Sequence, residues 1–294
     1  MSVDDPADPE LVPADAELVR VQRPAEHVRY VTLNRPAKRN AISTPLRARL
    51  LEVLAAHDHD PDVRVSVIRG AGECFSSGYD LSSPLMADVP YHTAPGDGAW
   101  TRQASEGWFS IWDLAKPVIA EVHGYAIAGA TELASACDLV YIAEDALVSY
   151  PVVRVASPPD WQYHEPLLGL RHAMEMMLTG DAIDGAEAAR RGWANRAFPP
   201  DRLAAEVLAI AERVAGVPSD LAQINKRMVH RQFDARGGRA AIRAGQEFQA
   251  LAAHQSSAQA FRDDPLGHMR RAVADAARPD ADRPDHEAPD DDSA

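Results

Sequence analysis

Residues 123–143, HGYAIAGATELASACDLVYIA, decide how the rest of the chain is read. From 124 to 143 their charged residues are Glu132 and Asp138, and the remainder is almost wholly apolar or small, the composition of a segment buried on all sides. GYAIAGATELASA (124–136) reads as helical, with the helix proper beginning near Gly129 and Ala130, and DLVYIA (138–143) reads as a buried strand. Gly124 and Gly129 permit close chain approach. Glu132 then falls in the first turn of a mostly apolar helix. Two readings of it stand side by side. It is a carboxylate favoured by the helix dipole, or it is a buried general base whose proton affinity desolvation raises. Asp138, at the helix-to-strand junction, reads as a cap or turn residue.

Working outward, strand and helix patterns alternate. Val28, Tyr30, Val31 and Leu33 predict a strand, and Leu46, Leu50, Leu51 and Leu54 recur on one helical face. Val63, Val65, Val67 and Ile68 predict a second strand closed by a turn at 70–72, and PVIAEV (117–122) a third. Trp108, Phe109, Ile111, Trp112 and Leu114 fit an amphipathic helix that stops before Pro117. From 161 onward the signal is nearly all helical, punctuated at Gly180, Gly192 and Pro218. The order predicts an α/β fold with a helical C-terminal region. Expected boundaries are an acidic tail over 1–16, a core over 17–199, helices over 200–274 and a second acidic tail over 275–294.

Charge limits the function. The 294 residues carry a formal net charge of −14, but residues 1–17 hold six acids and no base, and residues 275–294 hold eight acids and two arginines. The body between them, with 30 acids against 28 bases, is close to neutral. With no basic stripe to displace counterions, nucleic acid is not an expected partner. The Pro- and Asp-rich ends cannot bury enough apolar surface to offset chain entropy, so disorder is expected there. Cys74 and Cys137 make neither a disulfide framework nor a zinc cluster. No secretory signal and no apolar run of about 18 residues is found, so neither export nor a membrane is expected and the cytoplasm is the default.

Residues 72–83, GECFSSGYDLSS, carry the second signal. Gly78 allows a turn that leaves the Tyr79 N–H free to point into a cleft. Paired with an N–H from Gly129, it could hold the developing oxygen anion of an enolised thioester, and such preorganised donors are often the largest catalytic contribution.

Four segments in order, LNRPAKRNAIS (33–43), ECFSSGYDLS (73–82), KPVIAEVHGYAIAGATELASACDLVYIAEDA (116–146) and AMEMMLTGDAIDGAEAARRGWANRAFP (173–199), resemble the crotonase superfamily, also called the enoyl-CoA hydratase/isomerase family. The resemblance runs from about residue 17 to about 265. It implies a spiral of β-β-α units, a C-terminal helical region that builds trimers or dimers of trimers, and coenzyme A thioester substrates with no further cofactor. By motif position it places the oxyanion-hole amides on Tyr79 and Gly129 and the first catalytic glutamate on Glu132. It puts coenzyme A contacts on Arg35, Ala37, Lys38, Arg39, Asp80 and Leu81, with Lys38 and Arg39 facing phosphates or merely solvated.

One departure matters. Hydratases of the family carry a second glutamate after a proline, and here Tyr150-Pro151 is followed by Val152, which cannot titrate. The glycine-rich turn that follows is replaced by SPPDWQYHEPL (157–167), which brings Trp161 toward the pocket wall beside Tyr150 and Val152. Either Asp160, His164 or Glu165 substitutes for the missing carboxylate, or each is a surface side chain at a helix start with Asp160 as N-cap. His123 reads as structural, and His57, Asp58, His59 and Asp60 as a solvated helix end rather than a metal cluster. Trp100, Trp108, Phe109 and Trp112 read first as core and second as acyl-pocket wall. The expected function is an enolate-stabilising acyl-CoA enzyme, hydratase-like. The alternatives are a carbon–carbon hydrolase or lyase on a β-ketoacyl or β-diketone substrate, and a non-catalytic acyl-CoA binder.

Overall fold

The computed structural model describes residues 17–82 and 98–277; the acidic tails expected at 1–16 and, for the most part, 275–294 lie outside them. A six-stranded sheet forms the main layer in the order β1 (Val19–Ala25), β2 (Val28–Leu33), β3 (Val65–Gly70), β4 (Val118–Val122), β6 (Leu139–Ala143), β9 (Arg196–Phe198). β1 runs antiparallel to β2, and every later pairing is parallel. β3, β4 and β6 are rich in Val, Ile, Ala and Leu because both faces are largely covered.

A smaller sheet pairs β5 (Tyr125–Ile127) with β7 (Leu147–Ser149) in parallel, and β7 with β8 (Ile183–Asp184) antiparallel. Ser76 adds a bridge to Ala126, which joins the 74–79 segment to this second layer. The units therefore repeat as a long strand, a tight turn into the second layer and a helix, with β4, β5 and α3 (Gly129–Ser135) as the clearest case. This is the expected spiral of β-β-α units. Helix α1 (Thr44–His59) follows β2, with the Ser43 hydroxyl capping the Leu46 N–H, and α2 (Ala99–Asp113) precedes β4. Beyond β7 come α4 (His164–Leu168), α5 (Leu170–Thr179), α6 (Gly185–Arg190) and the C-terminal helices α7 (Leu203–Ala215), α8 (Ser219–Ala235), α9 (Gly238–Ala252), α10 (Ser256–Asp263) and α11 (Pro265–Ala276). Among the described residues no helix is long and apolar enough to cross a bilayer.

Several expectations need correction. The 124–136 segment is not one helix: Tyr125–Ile127 is a strand, and the helix begins at Gly129. Three residues of strand are too short to show a two-residue period, and the Ala and Gly around them read equally well as helix. The region after 161 holds the short strands β8 and β9 for the same reason. β1 gave no signal because it is an edge strand whose middle residues are exposed. Helix α11 runs through Ala276, just past the boundary that composition set at 275.

The register fixes one feature used below. Arg20, Thr32, Arg69, Glu121, Tyr141 and Arg196 stand side by side across the six strands, a polar row on a sheet that is otherwise largely apolar.

Candidate active site

Gly78 has φ +92, and a Cβ there would lie 2.6 Å from the Ile127 carbonyl and 3.2 Å from the Gly129 nitrogen. Only glycine lets the 74–79 segment approach the start of α3 this closely. Ile42 N–H donates to Gly78 O and Asp80 N–H to Ile42 O, so the ladder skips the amide between them. The Tyr79 N–H has no partner among the described residues. Gly129 is the first residue of α3, so its N–H has no acceptor within the helix. The preceding Ala128 holds φ 52 and ψ −124, a conformation that costs a side chain on the order of 1–3 kcal/mol, while its own N–H is tied to Ser149 O. That strained residue sets the direction of the Gly129 amide. Two amides without a hydrogen-bond partner among the described residues thus lie where the 74–79 segment meets the start of α3.

Glu132 sits in the first turn of α3 and is fully buried. Its Oε2 accepts from the Tyr79 hydroxyl at 2.7 Å, and its Oε1 accepts from the Tyr150 hydroxyl at 3.1 Å and from the Asp160 N–H at 3.0 Å. Trp108 Nε1–H donates to the Tyr79 oxygen at 2.8 Å. The Asp160 main chain is anchored from α2, where Ser105 and Thr101 donate to its carbonyl at 2.6 and 3.3 Å. Burial raises the proton affinity of Glu132 well above the carboxylate range, and the neighbouring Asp160 raises it further, against the hydrogen bonds from Tyr79 and Tyr150. Asp160 is raised too, by burial, while Thr101, Trp100 and Arg47 pull it back. Two interacting buried carboxyls resist ionising together, which favours the state with one proton between them. Burial also drives both phenols upward, and the Glu132 charge adds to this, so Tyr79 and Tyr150 stay neutral donors.

The structure sorts the candidates for a second acid. Asp160 is not an N-cap and not on the surface: α4 begins at His164, and the prolines at 158 and 159 lead the chain inward. Its Oδ1 has no partner among the described residues. His164 is also buried rather than exposed, stacked on Tyr163 at 3.9 Å, and desolvation pushes it down to about 3, so it is neutral at ordinary pH. Glu165 is exposed, as a surface residue should be. Of the pocket residues, Tyr150 reaches Glu132, and Val152 packs beside it in a small apolar cluster with Ile127 and Ala128. Trp161 does not line the pocket: its ring lies against Phe109 and Trp112, at 5.5 and 5.0 Å, in the core.

Arg35 forms an ion pair with Asp80 at 2.8 Å and donates to Ala41 O, which braces the two loops expected to cradle coenzyme A. Burial would raise Asp80, but the Ser82 and Arg35 hydrogen bonds outweigh it and hold the carboxyl below its usual value. Ala37, Lys38, Arg39 and Leu81 are exposed on those loops. His123 is structural, with Nε2 on Gly72 O at 3.0 Å. The 57–60 run does more than end a helix: Asp58 accepts from Lys116 N–H, and the Lys116 ammonium reaches the His57 and Asp60 carbonyls. Asp138 is a turn residue that also accepts from Val118 N–H and pairs with Lys226 and His230 of α8. Among the described residues no group of three or more metal-ligating side chains occurs.

Sequence reasoning assigned Trp108 to the core and overlooked Arg47. Trp108 is buried, yet its N–H serves the site. Arg47 is buried on the apolar face of α1 with its guanidinium 4.9 Å over the Trp100 ring, close enough to lower Tyr79 and Asp160. A lone arginine among Leu46, Leu50 and Leu51 was the available signal.

Known proteins resemble this chain over most of its length. The enoyl-CoA hydratase/isomerase family model matches residues 23–264. A probable enoyl-CoA hydratase of Mycobacterium bovis is 31% identical over 221 residues, covering 74% of this chain and 83% of that protein. The (E)-benzylidenesuccinyl-CoA hydratase of Thauera aromatica is 36% identical over 196 residues, 65% of this chain and 74% of its own. A crystal structure of an enoyl-CoA hydratase from Mycobacterium smegmatis superposes with a TM-score of 0.79 at 27% identity, covering 91% of this chain and 96% of that one. A match over most of the chain, on a fold of β-β-α units with a helical C-terminal region, makes this protein a member of the enoyl-CoA hydratase/isomerase family within the crotonase superfamily.

Proposed function

We propose that the protein processes acyl-CoA thioesters through an enolate, as an enoyl-CoA hydratase-like lyase. Tyr79 and Gly129 N–H groups hold the thioester oxygen, and Glu132 and Asp160 manage the protons. The observation that carries this reading is the pair of unpartnered amides beside a buried glutamate that has a second buried carboxyl as its neighbour. With Val152 unable to titrate, Asp160 enters from the 157–167 loop as the other member of the acid–base pair.

Each step balances. Asp160, the more acidic member, takes a proton from water as the water oxygen bonds to the β-carbon. The double-bond electrons move onto the thioester oxygen, and the amides stabilise that charge; losing such a donor costs about a hundredfold or more. The enolate then collapses as the α-carbon takes a proton that Glu132 ultimately supplies. Environments that separate two carboxyls in this way assign one as base and one as acid. In this reading Lys38 and Arg39, exposed on their loop, meet the coenzyme A phosphates, with the Arg35–Asp80 ion pair bracing that loop and Leu81 alongside. A homotrimer or dimer of trimers accords with the exposed apolar residues of the C-terminal helices, among them Ile224, Met228 and Phe248.

Loss of the conjugated enoyl absorbance of crotonyl-CoA and longer enoyl-CoAs tests the reading. Binding of these thioesters with no hydration would favour a non-catalytic binder. Cleavage of a β-ketoacyl or β-diketone thioester in place of hydration would favour the carbon–carbon hydrolase or lyase.

A further inference from the structure

We infer that the Tyr79 phenol is itself a catalytic group, which meets the acyl substrate and relays the proton of Glu132 to the carbon beside the thioester. The inference rests on the acyl-CoA reading above and adds to it the atom that touches substrate. Glu132 cannot be that atom in this arrangement. It has 0% exposure, and both of its oxygens are engaged, Oε2 by Tyr79 and Oε1 by Tyr150 and Asp160.

Exposure orders the network. Trp108 is 0% exposed, Tyr150 3% and Asp160 5%, whereas Tyr79 keeps an intermediate exposure. Tyr79 is therefore the least buried member of this network. The ring also packs against the Cα of Gly129. A Cβ on Gly129 would lie 2.6 Å from both Cδ2 and Cε2 of Tyr79, so the phenol covers the first residue of α3. Trp108 stacks near the ring at a centroid distance of 6.4 Å and donates to its oxygen, and Trp100 meets its edge at 5.2 Å. These contacts fix the hydroxyl between indole and carboxyl.

The chemistry needs no further reactant. When Glu132 carries the shared proton, its 2.7 Å contact with the phenol runs with Glu132 as donor. The phenol O–H bond then breaks toward the enolate α-carbon, forming the new C–H bond, as the Glu132 proton moves onto the phenol oxygen. Tyr79 is neutral before and after, Glu132 ends ionised, and the indole N–H steadies the oxygen during the transfer. A phenol too weakly acidic to ionise at ordinary pH suits this passing role, because it holds its proton until another replaces it.

The test is Tyr79→Phe, which keeps the ring, its aromatic neighbours and the main-chain amide. The wild type is expected to hydrate crotonyl-CoA and to exchange the α-protons of butyryl-CoA in D2O. In the variant both rates should fall about a hundredfold or more, while KM for crotonyl-CoA and Kd for butyryl-CoA move less than about threefold. Site-specific replacement of Tyr79 by 3-fluorotyrosine, which keeps the hydroxyl and makes it more acidic, should change kcat and its pH profile with an unchanged Tm. If Tyr79→Phe keeps wild-type rates while Glu132→Gln is inactive, the acyl-CoA reading stands and the relay is overturned. A matched rise in KM and fall in Tm, with kcat preserved, would assign the phenol to packing and also overturn it. A wild type that neither binds, exchanges nor hydrates these thioesters removes the relay and the reading beneath it.

Discussion

Two buried glutamates of one β-β-α unit have been given opposite company. Glu121, on β4 and 2% exposed, lies in the polar row of the main sheet with its Oε1 3.4 Å from the Arg69 guanidinium, which itself lies 4.8 Å over the Tyr30 ring. Glu132, on α3, is held by two phenols and an amide, and the charge that weighs on it most is the negative one of Asp160. Burial raises the proton affinity of both; Arg69 then brings Glu121 part of the way back, and Asp160 drives Glu132 further. Burial of a carboxyl is therefore not what marks a reactive site. The sign of its nearest charge is what separates a brace from an acid–base group.

The largest effect should come from Glu132→Gln. Turnover of crotonyl-CoA is expected to fall by about a thousandfold or more, with thioester affinity kept within a few fold, because an interaction used only as the reaction proceeds is lost. Unchanged turnover would place the acid–base group elsewhere. The same variant makes a statement about stability. The folded proton affinity of Glu132 lies above its unfolded value, so its contribution is most favourable below the ordinary carboxylate range and is lost as pH rises toward the folded value. The glutamine removes that slope. Relative to wild type, the Tm of the variant should improve steadily between pH 4 and pH 8.

Arg69→Met probes the other glutamate and should come next. It leaves Glu121 buried without its cation, at a cost of about 3 kcal/mol near neutral pH. Acidification should recover the loss, since a protonated Glu121 needs no counter-charge. Urea denaturation at pH 7 and pH 4.5 measures both, and an equal deficit at the two pH values would show that the arginine acts through packing alone.

How much of this was visible in the chain follows from the same contrast. The Val- and Ile-rich β3, β4 and β6 announced themselves because strands covered on both faces need apolar side chains throughout. The glycines at 78, 124 and 129 and one acid in an apolar run made Glu132 and the amides of Tyr79 and Gly129 candidates, and the family resemblance of the surrounding segments supplied their expected roles. What lay beyond reach was the path of the chain over 157–167. Two prolines and an Asp before an aromatic pair read as the approach to a helix, yet burial of Trp161, Tyr163 and His164 draws that loop into the core and lands Asp160 against Glu132. The contact of the Tyr79 phenol with Glu132 was hidden likewise, since no local pattern tells that this side chain will fold back against Gly129.

Asp160→Asn sharpens the comparison by making the surroundings of Glu132 resemble those of Glu121 in one respect, the loss of a like charge. With Asp160 neutral, Glu132 should ionise at lower pH, and the upper limb of the kcat/KM profile should move toward acid. A loss of about ten- to a hundredfold in kcat should accompany it, because the group that takes the proton from water is gone. An upper limb that stays in place would mean that the two carboxyls do not share a proton.

The smallest expected effect is the one best able to break the contrast. Glu121→Gln keeps the shape of the side chain on β4 and removes only its charge, beside a cavity of about 650 Å³ that Arg69, His123 and Glu73 also line. If Glu121 is a brace, turnover per folded molecule should stay within about twofold of wild type. Its raised folded proton affinity makes its contribution greatest at acid pH and weaker as pH rises, so the glutamine should flatten that dependence and leave the plateau nearly unchanged. A tenfold loss of turnover would instead mean that the polar row reaches the chemistry. The buried carboxyl with a cation beside it would then be as functional as the one without.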